Sequence, residues 1–223
     1  MSKDIHFQRP PTISESIYLF LKKEIIEGKF LPHQRLQPKE FAKLFNVSST
    51  PVRDAFLRLV SEGYVVMNER KGFVVHEKTP AEVGQLYEIV RALDKAAVKG
   101  FMRAPKNKDI KYLKEMTLKL GEYYEEKNAQ NYLRQNLKFH EKIWMECGNK
   151  LLCETLVQVM GKIAIYRMNI DFTPFSSRAA IEKSFKDHLD IMESLESGDI
   201  SRLEQIIDHH WGEEFSAEET DSA

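Results

Sequence analysis

Between Leu36 and Val75 the chain sets two short apolar-periodic segments either side of a sharp break. Phe41, Ala42, Leu44 and Phe45 give one helix an apolar face, and Val52, Ala55, Phe56 and Leu59 recur at helical spacing in the next. Asn46-Val47-Ser48 interrupts the period. Asn tolerates the left-handed backbone that ends a helix, and Ser48 or Ser49 supplies an N-cap for the following one. Pro51 falls in the first turn of that second helix, where its missing N–H is harmless. Gly63 stops the helix. Tyr64-Val65-Val66 and Phe73-Val74-Val75 read as two β runs, with Asn68-Glu69-Arg70-Lys71-Gly72 as a basic hairpin tip between them. Helix, tight turn, helix and β-ribbon is the pattern of a winged helix-turn-helix. Its inward set leaves Thr50, Arg53 and Asp54 at the exposed N-terminal end of the second helix, the end that a recognition helix inserts into a DNA major groove.

Charge is distributed in the same sense. Residues 1–78 carry 13 Lys and Arg against 9 Asp and Glu, and the rest carry 20 against 25, within an overall net charge of −1. A basic head on an acidic body suits nucleic-acid binding by one half only. No run approaches the roughly 20 apolar residues that span a bilayer, and the N-terminus lacks a signal-peptide stretch. Cys147 and Cys153 are the two cysteines, and they form no CxxC pair. They are expected as buried free thiols, and a cytoplasmic protein with no membrane partner is expected.

Along the chain, residues 1–13 read as a flexible tail and 14–78 as the winged helix-turn-helix domain, beginning with a helix over Ser14–Glu27 capped by Thr12 or Ser14. Thr79-Pro80 marks a hinge. Beyond it strand signals vanish. Helical periods cover Ala81–Met102, Asn107–Lys127, Ala129–Cys147, Leu151–Ile170, Ser176–Glu196 and Ile200–Phe215. The fold expected is therefore mainly α. It joins the N-terminal winged helix-turn-helix to a C-terminal antiparallel bundle of about six α-helices over residues 79–217, and 218–223 form a loose tail.

Four of the seven His lie in the third, fifth and sixth bundle helices. Asn136 and His140 are an i, i+4 pair and point to one spot. His188 shares a face with Ile181, Phe185, Leu189 and Met192. His210 follows Leu203 and Ile206 or Ile207. Three His from three helices can converge on a bundle axis, where neutral imidazoles suit Zn²⁺ or Ni²⁺. By spacing alone, a His on an amphipathic helix is more often a satisfied core residue. His209 competes with His210; the two point about 100° apart on a helix of 3.6 residues per turn, and His210 is the one taken as a candidate ligand.

From about Ser14 to Phe215 the chain resembles the GntR family of bacterial transcription regulators, and within it the FadR-like group with an all-helical FCD ligand domain. The resemblance rests on Leu36, Glu40-Phe41-Ala42, the run Phe45-Asn46-Val47-Ser48-Ser49-Thr50-Pro51-Val52-Arg53-Asp54-Ala55-Phe56, then Glu62-Gly63-Tyr64-Val65 and Arg70-Lys71-Gly72-Phe73-Val74. It implies a homodimer on a palindromic DNA operator, with Lys39, Thr50 and Arg53 as DNA contacts and Arg70, Lys71 and Gly72 at the wing. Ser49 stands where the family commonly has Arg. A bidentate Arg–guanine contact carries about 1–3 kcal/mol of discrimination, so the operator preference is expected to differ.

The resemblance also implies a metal held by Asn136, His140, His188 and His210, Asn136 standing at the family's Asp position. It implies a small organic-acid effector at that metal. The family's carboxylate-clamping Arg falls at Val90 here, which leaves Arg91, Arg134 and Arg167 as substitutes, Arg178 as a further one, and Tyr166, Tyr132 and Trp144 as walls. Two other readings compete: an architectural DNA-binding dimer with a purely structural metal, and a metal-dependent hydrolase. The chain has no HExxH, GxSxG or GxxxxGK[ST] motif, so a regulator rather than an enzyme is expected.

Overall fold

The computed structural model describes residues 10–69, 72–104, 109–168 and 177–212, with the side chains of 165–168 outside the description. Arg70 and Lys71, most of the expected N-terminal tail and all of the C-terminal one fall outside it. Among the described residues there are nine helices and one three-stranded sheet, and the chain divides into two compact units, residues 1–77 and 78–223.

The first unit opens with α1 (Ile13–Ile26). Thr12 caps it, its side chain accepting from the Glu15 N–H at 3.1 Å. Ile17, Tyr18, Leu21 and Ile25 are buried, as are Val52, Ala55, Phe56 and Leu59 of α3 (Ser49–Ser61), and the two helices pack together. Between them lies α2 (Pro38–Leu44), which buries Phe41 and Ala42. Leu44 was expected on that apolar face and instead is 71% exposed. It sits two residues past Ala42, hence about 200° away around the helix. Phe45, at the C-cap, closes the face, its ring 5.5 Å from Phe20 and 6.0 Å from Phe41. Asn46 then turns the chain with φ 53°, the left-handed conformation expected of it.

The wing is β2 (Val65–Asn68) and β3 (Gly72–Val75), antiparallel, with Asn68 opposite Gly72. A third strand, β1 (Arg35–Leu36), pairs with the other edge of β3, Arg35 opposite Val74. Two residues are too few to show a strand period, so the sequence reading had placed no strand there.

A polar cluster pins α1 to the end of α3. The Tyr18 hydroxyl donates to Glu62 at 2.7 Å, Lys22 Nζ donates to Glu62 Oε2 at 2.8 Å, and the Arg58 guanidinium lies over the Tyr18 ring at 3.8 Å. Burial by itself pushes the Glu62 carboxyl up, but Lys22, Tyr18 and Arg58 together hold it below its ordinary value.

The second unit is an all-helical bundle. α4 (Pro80–Arg103) starts at a full capping box: Thr79 Oγ1 accepts from the Glu82 N–H at 3.2 Å, and Glu82 Oε2 accepts from the Thr79 N–H at 2.8 Å. α5 (Ile110–Glu125), α6 (Ala129–Met145), α7 (Lys150–Met168), α8 (Arg178–Ser197) and α9 (Ile200–Gly212) follow. α4 packs on α6, α7 and α9, α5 on α6 and α8, and α8 on α9. Their core includes Phe101, Leu113, Phe139, Trp144, Leu156, Ile163, Ile191 and Ile207. Gly100 permits the contact of α4 with the end of α6, since a Cβ there would stand 2.4 Å from the Cys147 carbonyl oxygen. Leu189, expected inward beside His188, is 49% exposed; α8 turns Ile181, His188, Ile191, Met192 and Leu195 inward instead. Cys147 is buried, Cys153 half-buried, and both are free thiols. Among the described residues no helix is long and apolar enough to cross a membrane.

The Glu62 cluster gives a pH-dependent expectation. A carboxylate whose folded pKa is depressed stabilises the fold above its ordinary value of 4.5 and loses that contribution as pH falls through the folded value. Glu62→Gln should lower native-state hydrogen-exchange protection of the α1 and α3 amides by about 5- to 30-fold at pH 7, a loss of roughly 1–2 kcal/mol. The gap between variant and wild type should shrink as pH falls below about 4.5.

Candidate functional site: an exposed helix end and a buried histidine cluster

With Val52, Ala55, Phe56 and Leu59 facing inward, α3 presents Ser49, Thr50 and Arg53 to solvent from its N-terminal half. Lys39, in the first turn of α2, is exposed as well. Thr12, Thr79, Asp109, Asn128 and Ser177 each cap a helix with a side-chain bond, but Ser48, at the N-cap of α3, makes none. The first N–H groups of α3 therefore keep their donor capacity for an external acceptor such as a phosphate. Gly72 opens β3 with φ +73°, a backbone conformation suited to glycine at the wing tip.

In the second unit His140 of α6, His188 of α8 and His210 of α9 meet. Their ring centroids are 5.2 Å (140–188), 5.1 Å (140–210) and 4.9 Å (188–210) apart, and one nitrogen of each lies within 4.8 Å of the others. Exposures of 0, 0 and 3% exclude solvent as their partner. His209 is exposed.

Two of the imidazoles are held from behind by a hydrogen bond at Nδ1, and a carboxylate stands behind the third. His188 Nδ1–H donates to the Ser184 carbonyl at 2.6 Å, and His210 Nδ1–H donates to Asp187 Oδ2 at 3.0 Å. His140 Nδ1 lies 3.3 Å from Asp94 Oδ2. A neutral imidazole that donates through Nδ1 carries a lone pair on Nε2. Such lone pairs on His188 and His210 and the Nε2 of His140 then face one small volume, with His140 Nε2 and His210 Nε2 only 3.2 Å apart. Among the described residues His188 Nε2 and the buried Oδ1 of Asn136 find no hydrogen-bond partner. Burial, and then the neighbouring His210 and His140, push the His188 pKa well below its ordinary value, so it remains a neutral base. A proton shared by His140 and His210 would relieve one repulsion but leave His188 Nε2 and Asn136 Oδ1 unsatisfied. A divalent cation among the three rings would satisfy their inward nitrogens, and outward Nδ1–H bonds are the usual support of metal-ligating His. The cluster could therefore hold a metal.

Sequence reasoning passed over Asp94. It is fully buried on α4, accepting from Trp144 Nε1 at 2.6 Å and Trp211 Nε1 at 2.7 Å as well as facing His140. Burial raises its pKa, but His140 and the two indoles outweigh this and leave the carboxyl lowered. The available signal was its place on the buried face with Tyr87, Val90, Ala97 and Phe101. Asp187, the anchor of His210, is likewise absent from the sequence expectations, since 23 residues separate the two. Of the residues considered for effector binding, Arg91 is half-exposed with Nε 3.6 Å from Asp208 Oδ1, and Arg134 is exposed. Arg178 lies over the Tyr124 ring at 5.1 Å, and the Tyr132 hydroxyl donates to Ser184 Oγ at 3.0 Å. The side chains of Tyr166 and Arg167 fall outside the described residues.

The profile for bacterial regulatory proteins of the gntR family matches residues 13–75, and that for the FCD domain matches residues 85–213, more than half of the chain. The chain belongs to the FCD-containing GntR family of bacterial regulators. As a GntR-family protein it is a DNA-binding transcription regulator with an effector-binding helical domain. It is 26% identical over 209 residues to the uncharacterised regulator YdhC of Bacillus subtilis strain 168, covering 93% of this chain and 92% of YdhC. It is 23% identical over 208 residues to the transcriptional repressor RspR of Escherichia coli strain K12, covering 92% and 90%. The solved structure of E. coli McbR/YncC has the same fold, with TM-score 0.73 and 20% identity over 91% of this chain and 94% of that one.

Proposed function

We propose that this GntR-family regulator binds a palindromic operator as a homodimer through α3, and that its operator affinity is set by a small carboxylate effector. In this reading His140, His188, His210 and Asn136 hold a divalent ion, Zn²⁺ or Ni²⁺, in the helical domain. The observation that carries it is the convergence of three buried imidazoles, with Nδ1 of His188 and His210 hydrogen-bonded outward and Asp94 behind His140; Asn136, one helical turn before His140, has a buried Oδ1 with no hydrogen-bond partner among the described residues. When bound, the ion supplies a positive centre that accepts an anionic oxygen. Asn136 brings an amide oxygen without charge, so the donor set contributes no anion of its own. The chain's own part is to exclude water around that centre, as the exposures of 0–3% do, and to orient the three rings from behind. The same burial favours a second reading, in which four protein donors close the site and the ion is structural.

On the DNA side Thr50 and Arg53 are the base-reading candidates, with Lys39 positioned for phosphate and Ser49 too short for a bidentate guanine contact. Arg53→Ala should weaken binding to a duplex selected from a random library by about 5- to 150-fold, the equivalent of roughly 1–3 kcal/mol. Its thermal stability should be unchanged. Wild-type affinity insensitive to this change would remove α3 from the interface.

The effector side is tested by thermal shift of the full chain, with and without Zn²⁺ and with a panel of mono- and dicarboxylates. A ligand at 100 times its Kd adds about 2.7 kcal/mol. The expectation is a rise with Zn²⁺, a further rise with at least one carboxylate only when Zn²⁺ is present, and loss of both in His188→Ala. A metal effect with no carboxylate effect would favour the structural ion, and no metal effect would make the histidines packing residues.

A further inference from the structure

We propose that Asp94 is the positioning residue of the histidine cluster: it fixes His140 in the tautomer that offers Nε2 inward, and it ties the cluster to α4. α4 contributes none of the three histidines. It faces them with this carboxylate, which stands 3.3 Å from His140 Nδ1 and accepts from Trp144 and Trp211. Those two indoles are the only tryptophans in the chain. Trp144 lies one helical turn after His140 on α6, and Trp211 directly follows His210 on α9. Asp94 therefore binds one side chain next to each of two ligand candidates as well as one candidate itself.

Chemistry gives the arrangement a direction. An indole N–H can only donate, and an ionised carboxylate can only accept. An ionised Asp94, which accepts from both indoles, presents no hydrogen to His140, so an imidazole 3.3 Å from its Oδ2 is favoured with the proton on Nδ1. Nε2 is then left as the lone pair that meets His210 Nε2 at 3.2 Å. Displacement of His140 or Trp211 strains the same carboxylate, so α4 responds to whatever the cluster holds. α4 is also the helix that begins at the Thr79–Glu82 capping box, at the start of the second unit.

The tautomer part stands on the geometry alone, while the affinity part rests on the metal reading above. The two are separated by measuring both in the full chain. Long-range ¹H–¹⁵N spectra of the His side chains in chelator-treated wild type should show His140 as the Nδ1–H tautomer. In Asp94→Asn that preference should be lost, and the Zn²⁺ dissociation constant should rise about 10- to 100-fold, as for other anchors of metal-bound His. Trp144→Phe loosens the same core and frees Asp94 Oδ1, but leaves the carboxylate charge and Oδ2, which takes Trp211 and faces His140, so the Nδ1–H preference should persist and Zn²⁺ affinity should fall by much less than in Asp94→Asn. A wild-type His140 with its proton on Nε2 would overturn the proposal. So would an Asp94→Asn variant with unchanged tautomer and affinity, or a Trp144→Phe variant that loses as much Zn²⁺ affinity as Asp94→Asn. If wild type binds no Zn²⁺, the metal reading fails and the tautomer comparison alone decides the role of Asp94. If Asp94→Asn does not fold, the wild-type tautomer and the Trp144→Phe affinity decide it.

Discussion

Imidazoles packed without water must dispose of two nitrogens each, and the second domain solves only half of that problem with protein atoms. Nδ1 of His188 and of His210 donate to the Ser184 carbonyl and Asp187, and Nδ1 of His140 faces Asp94 at 3.3 Å. Among the described residues Nε2 of His188 meets no partner, and those of His140 and His210 meet each other. A buried unsatisfied polar atom destabilises by about 1–3 kcal/mol, so a cluster of this kind would be a poor use of core volume if packing were its purpose. Hydrophobic side chains of similar size would serve the core better. The arrangement makes physical sense for a site that receives a cation.

The rest of the helical domain is organised to hold that geometry. α6, α8 and α9 each supply one ring, and α4 supplies the carboxylate behind His140. Close approach is secured at two glycines. Gly100 lets α4 lie against the end of α6, and Gly121 lets α5 meet Phe185 of α8, whose ring stands 3.0 Å from where a Cβ would be. In the DNA-binding domain the corresponding device is a polar one. Lys22, Tyr18 and Glu62 lock α1 to α3, so the exposed residues of α3 project from a braced helix.

Periodicity made much of this architecture legible. The inward set of α3 could be read from spacing because four residues repeat on one face, and Asn46 and Gly63 declared the turns through their backbone preferences. Where the pattern was short it misled: a two-residue strand has no period, and Leu44 and Leu189 stand at helical spacing from Phe41 and Phe185 yet face solvent. In the histidine cluster, spacing identified the rings but not what stands behind them. Asp94 finds its indole partners 50 and 117 residues away, and Asp187 anchors a His 23 residues on. Such pairings arise only from tertiary packing. The choice of His210 over His209 was legible, since His210 continues the Leu203 and Ile207 face of α9, and it is the buried one of the two.

X-ray absorption at the zinc edge, on the full chain loaded with one equivalent of Zn²⁺, tests the central claim most directly. The account predicts a nearest shell of nitrogen and oxygen at about 2.0–2.1 Å with the outer scattering of three imidazole rings. A sulfur shell near about 2.3 Å, which would place the ion on Cys147 or Cys153, or a shell without imidazole scattering, would contradict it.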